Sequence, residues 1–82
     1  MDIRIDIETR GLVEVVQVSG RLVVPFVQQL RDVCEPMEGN FVLDLSELIF
    51  ADDAGMDVIR SLREKGAAIS GASAFIKLLI DG

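Results

Sequence analysis

The chain has no histidine, no tryptophan and no tyrosine, and it carries a single cysteine. Without histidine it lacks the usual general base at neutral pH and the commonest metal ligand. Without tryptophan or tyrosine it lacks the best platforms for stacking nucleic-acid bases. Cys34 alone cannot form an internal disulfide, which fits a reducing compartment. No run approaches the roughly eighteen apolar residues of a membrane span, and no stretch reads as a cleavable signal. Bases are also scarce. Eight Lys and Arg stand against 14 Asp and Glu, a formal net charge of −6, and such a surface repels nucleic acid and anionic membranes alike. The expectation is a cytoplasmic protein with no nucleic-acid partner and no direct membrane insertion.

What is present is 82 residues, half of them hydrophobic and 5% aromatic, with mean hydropathy +0.41. That is one domain spanning 1–82, built on Val, Ile, Leu and Met. It is small enough that only about 60% of the unfolded chain's surface becomes buried on folding.

Ile3, Ile5 and Ile7 alternate with Arg4, Asp6 and Glu8, a period of two that predicts a half-exposed edge strand. A turn at Arg10-Gly11 leads to a more buried strand over Leu12 to Ser19, and the short connection makes the two an antiparallel hairpin. After Gly20 the period changes. Val23, Phe26, Val27, Leu30, Val33, Cys34 and Met37 share one side of a helix, with Pro25 in its first turn and Pro36 and Gly39 ending it. Phe41 to Leu45 is a short apolar block suited to a strand buried on both faces, and the intervening helix is the crossover a parallel neighbour needs.

The stretch Asn40 to Gly55 then brings two adjacent acids, Asp52 and Asp53, to the start of a second helix, expected from about Ala54 to Lys65. Asp52 can cap it, and Asp53 sits well in the positive field of its first turn. Gly66 stops that helix. Ala67 to Ser70 follows as a short parallel strand, and Ala72 to Ile80 as a third helix with Ser73 near its start. The expected fold is α/β: a small mixed four-stranded sheet with an N-terminal β-hairpin and three helices, mainly on one face. The third helix spreads Phe75, Ile76, Leu78, Leu79 and Ile80 over more than one face, so either the sheet covers it broadly or a partner does.

The chemistry-bearing residues read more simply as structure. Asp44, Asp52 and Asp53 could hold Mg²⁺ beside phosphate oxygens, but carboxylates at helix starts are ordinary caps and no phosphate-cradling glycine loop accompanies them. Cys34 lies on an apolar stripe with no histidine to activate it, and the serines have no histidine base. No catalytic residue, metal site or cofactor is expected, and the chain is not expected to be an enzyme.

The order of elements, together with Val18-Ser19-Gly20-Arg21-Leu22, Val42-Leu43-Asp44-Leu45-Ser46, Phe50-Ala51-Asp52, Gly55, Gly66 and Gly71-Ala72-Ser73, resembles the STAS domain of sulfate transporters and anti-sigma-factor antagonists. The resemblance covers nearly the whole chain. It implies a regulatory module whose partner is a kinase-like ATPase or anti-sigma factor, with the turn after Ala51 as the contact. In the family that turn commonly reads Asp-Ser-Ser-Gly or Asp-Ser-Thr-Gly, and a hydroxyl there is phosphorylated to switch binding. Here the middle positions are Asp53 and Ala54, which carry no hydroxyl, and Val23 stands where sigma-pathway members commonly have Asp. Asp53 places a permanent charge where a phosphoserine would bring about −2.

The expected partner-binding residues are therefore Asp52, Asp53, Ala54, Gly55 and Met56. Asp52 acts as cap, Asp53 as fixed charge and Met56 as an adaptable apolar contact. The alternative within the resemblance is a subunit of a transport system that binds a small ligand, a nucleotide or a lipid. Family members often continue past the position of Gly82, which implies a third helix or sheet edge open to a partner, including a homo-oligomer through the C-terminal helix.

Overall fold

The computed structural model describes residues 3–37 and 41–81. Gly39, expected to help end the first helix, and Asn40 lie outside the described residues. Strands β1 (Arg4–Arg10) and β2 (Val13–Leu22) form the expected antiparallel hairpin, Arg4 opposite Ser19 and Arg10 opposite Val13. Helix α1 (Val24–Cys34) carries Pro in its first turn, as expected, and returns the chain to β3 (Phe41–Asp44), parallel to β2. Helix α2 (Asp53–Glu64), strand β5 (Ala68–Ser70) and helix α3 (Ala74–Asp81) complete the α/β order, with β5 parallel to β3.

The strand count differs from expectation. A fifth strand, β4 (Leu48–Ala51), precedes α2 and pairs in parallel with the far end of β2, Leu22 opposite Ala51. Two local devices make it a separate strand. Asp44 Oδ1 accepts a hydrogen bond from Ser46 N at 2.9 Å, and Leu48 N donates to Leu45 O at 3.1 Å, so the chain turns once between β3 and β4. On the other side, β2 does not stop at Ser19. It runs on through Gly20, at φ +92, a conformation that favours glycine, and the register shifts by a bulge between Gly20 and Arg21. Gly20 faces Leu48 and Arg21 faces Phe50, so the unpaired extra residue is Ile49 of β4.

Strand order is β1-β2-β3-β5, with β4 beside β2. One face of the sheet, bearing Val16, Val18 and Leu43, joins Leu22, Leu30, Leu45, Val58, Ile59 and Ile76 in a core of fully buried side chains. The other face presents the register row Asp6, Gln17, Asp44 and Ser70, all at least partly exposed. Alternation thus sorts β1 as the sequence predicts, although Ile7, toward the hairpin end of its row, is 53% exposed. Strand β3, expected to be buried on both faces, is covered on one, with Phe41 and Leu43 buried and Val42 and Asp44 partly exposed on the face away from the core.

Helix α2 ends as the glycine at position 66 suggests. Gly66 N donates to Arg63 O and Ala67 N to Leu62 O, at 3.1 and 3.0 Å, the paired bonds of a Schellman motif, with buried Ala67 and Leu62 supplying its apolar contact. In α3, Ser73 Oγ accepts from Ile76 N at 3.1 Å, so Ser73 caps that helix. Ile76 and Ile80 are buried, whereas Phe75 and Leu78 are 51% and 72% exposed. The core therefore covers one stripe of the third helix and leaves the other open.

Candidate functional site

Two helices begin at the same place. Val24 is the first residue of α1 and Asp53 the first of α2, and the ends of β2 and β4 bring them together, Asp52 N donating to Leu22 O at 3.1 Å. Each helix start leaves unpaired amides and a partial positive charge, so two starts in contact need an acceptor between them. Asp52 provides it. Its Oδ1 accepts from Gly55 N at 2.8 Å, and its Oδ2 accepts from Val24 N at 2.9 Å. Val23, the residue at the N-cap of α1, makes no side-chain cap, so the Asp52 carboxylate, 28 positions beyond Val24, does that work as well.

Such a junction requires close packing. A Cβ on Gly55 would lie 2.3 Å from Leu22 O, so glycine is the residue that lets α2 rest on the end of β2. Met56 N donates to Asp52 O at 2.9 Å, and the Met56 side chain is only 3% exposed. Its expected role as an adaptable surface contact does not hold, because an apolar side chain on the inward face of α2 is drawn into the core. Ala54 is half-buried, Gly55 buried and Asp52 partly buried, which leaves Asp53 as the exposed side chain of the five.

Sequence reasoning missed the surroundings. Val24 and Ile49 are 66% and 72% exposed, and the Arg21 guanidinium lies over the Phe50 ring at 5.3 Å from its centroid, a cation–π arrangement. These residues flank the junction along the paired ends of β2 and β4 and the start of α1. Ile49-Phe50 was visible as an apolar run, but without β4 nothing told which of the two faced outward.

The structure does not bring Asp44 to Asp52 and Asp53. Asp44 sits on the sheet face away from the core, within 3.5 Å of Gln17 Nε2. The Ser46 backbone amide, first among several hydrogen bonds, holds its carboxyl below the usual carboxylate range. Among the described residues no group of three or more His, Cys, Asp or Glu is placed to hold a metal ion. Cys34 is 2% exposed, and burial pushes its thiol up to about 11. That is the reverse of what activates a nucleophile. Among the described residues no helix is long and apolar enough to cross a membrane.

No family model matches the chain, and no curated protein matches its sequence. Solved structures do match. The anti-sigma factor antagonist SpoIIAA in its unphosphorylated form superposes with a TM-score of 0.73 at 14% identity, over 95% of this chain and 82% of that one. An anti-sigma factor antagonist from Mycobacterium paratuberculosis gives 0.66 at 23% identity, over 83% of this chain and 66% of the other. A structure of Mglu gives 0.63 at 19%, but this chain spans only 18% of it. At these identities the likeness is one of fold, and that fold is STAS-like, as the sequence motifs imply.

Proposed function

We propose that this protein is a non-enzymatic interaction module that regulates a protein partner, a kinase-like ATPase or anti-sigma factor, through the junction of α1 and α2. The observation that carries this reading is the position of Asp53. It is exposed in the first turn of α2, directly after the carboxylate that closes both helix starts, in the turn where the resemblance places a phosphorylatable hydroxyl. With Asp53 and Ala54 at the middle positions, serine phosphorylation has no acceptor there. The negative charge is permanent, smaller than that of a phosphoserine but of the same sign.

The surrounding side chains support a protein contact. Val24 and Ile49 offer exposed apolar area, and Arg21 stacked on Phe50 is the pairing of residue types that interfaces favour. A nucleotide fits this end less well, because Asp52 and Asp53 repel phosphates.

Affinity capture from native lysate with tagged wild type beside Asp53→Lys, partners identified by mass spectrometry, tests the reading. Recovery of a kinase-like ATPase or anti-sigma factor by wild type and its loss from the variant is the expected result. The same proteins retained by both, or no such protein from either, refutes a role for the junction.

A further inference from the structure

At the far end of α2, about 15 Å from Asp53 by helix rise, a second surface is built differently. A groove of about 500 Å³ runs between β5 and α3. Strand β5 is one edge of the sheet, paired among the described residues with β3 alone. Its side of the groove is walled by small residues, Ala67, Ala68, Gly71 and Ala72, and the opposite side by Arg63, Lys77, Ile80 and Asp81.

The direction of the main-chain groups follows from one bond. Leu45 N donates to Ser70 O at 2.8 Å, so Ser70, and Ala68 two residues before it, turn their N–H and C=O toward β3. Ile69 between them turns both groups outward. Ala67, which also faces outward, already donates its N–H to Leu62 O. Ile69 is therefore left with a donor and an acceptor at the edge, and among the described residues neither has a main-chain partner. Small neighbours leave both within reach of another chain.

Charge selects what could reach them. In a protein of net charge −6 this groove gathers two cations against one carboxylate, Asp81. Arg63 Nη1 pairs with Asp81 Oδ1 at 3.0 Å, while Lys77 is exposed and has no ion-pair partner among the described residues.

We propose that this groove accepts an extended acidic segment of a partner polypeptide, which adds a strand to β5 through the N–H and C=O of Ile69 and sets a carboxylate against Lys77. Strand addition of this kind takes affinity from main-chain bonds and selectivity from the flanking side chains. The surface is separate from the α1–α2 junction, so Asp53→Lys leaves it intact, and either surface can fail without the other.

The test titrates ¹⁵N-labelled full chain with an end-blocked pentapeptide of alternating valine and glutamate. A lysine counterpart and a version N-methylated at its central residue are run beside it. The expected result is amide shifts confined to Ala68, Ile69, Gly71, Ala72 and Lys77, with slowed exchange of the Ile69 amide. Lys77→Glu, on an exposed side chain, should weaken binding about fivefold, the upper scale of an exposed ion pair, and N-methylation should abolish it. Equal binding of the lysine peptide or the N-methyl peptide overturns the proposal. So does the absence of shifts at millimolar glutamate peptide. Shifts at Ile69 that grow with protein concentration alone would assign the groove to a second copy of this chain and overturn it as well.

Discussion

Replacing Asp52 with asparagine separates a carboxylate that caps one helix from one that caps two. Asparagine and aspartate are nearly equal N-caps, so if the side chain served α2 alone, Asp52→Asn would cost little. In this structure both oxygens are used, Oδ1 by Gly55 N and Oδ2 by Val24 N. An amide offers only one acceptor, and its NH₂ would face the Val24 donor. The loss is then one cap, about 1 kcal/mol on the usual scale, and Asp52→Ala removes both for about 2 kcal/mol. For a domain of this length each kcal/mol lowers Tm by about 4–8 °C. Urea denaturation of the three proteins at pH 7 measures the costs. Amide exchange then assigns them: Val24 should lose protection in the asparagine variant while Gly55 keeps it. If Asp52→Asn lies within about 0.3 kcal/mol of wild type, or if the Val24 amide is unchanged, the double cap is wrong and α1 begins without help from Asp52.

Further outcomes follow from the same geometry. Gly55→Ala places a methyl group against Leu22 O and should destabilise by about 1–3 kcal/mol, the scale of overpacking, read from the urea midpoint. Cys34 should resist a thiol reagent at pH 8 in the folded protein and react at once in urea. Because its folded pKa is raised from 9.0 to about 11, this group favours the fold fully below pH 9, and that contribution is lost as pH climbs toward 11. Asp44 has the opposite sign. Its folded pKa is lowered, so its contribution is present above the ordinary carboxylate range and fades as pH falls through it, which Asp44→Asn should remove from the acid limb of a stability profile. On α3, Phe75→Ser with Leu78→Ser should leave stability within about 0.5 kcal/mol, as exposed sites do, whereas Ile76→Ala should cost about 2–5 kcal/mol. A fall in sedimentation coefficient in the double variant would show that the exposed stripe joins copies of the chain, and an unchanged value would refute that use.

The sequence was most legible where structure depends on near neighbours. The β1–β2 alternation, Pro25 in the first turn of α1, the Asp52 cap on α2 and the stop at Gly66 are all decided within a few residues, and each is where the pattern placed it. The strand β4 was hidden because Leu48–Ala51 is only four residues long, and its partner is an extension of β2 past a glycine that reads as a turn. In α3 the composition is apolar on several sides. Which side is covered depends on where α2 lies, since Arg60 reaches from α2 to the Leu79 and Ile80 carbonyls at 2.7 and 3.0 Å. Periodicity cannot supply that information.

The same distinction explains why the candidate site was only half visible. An acid before a helix predicts its local bond, Asp52 Oδ1 to Gly55 N. The second bond joins residues 28 apart and exists only because β4 runs beside β2. Val23 at the N-cap of α1 looks, in sequence, like lost polar chemistry. In the fold it is the vacancy that Asp52 Oδ2 fills, so the helix start is closed from the neighbouring turn. Asp52 is thereby committed to structure, while Asp53, one position on, is exposed and free of that duty. The negative charge this junction leaves free comes chiefly from Asp53, and under the proposed reading substituting Asp53 should alter recognition at a stability cost of at most about 1 kcal/mol from its place in the first turn, whereas substituting Asp52 should also remove the double cap.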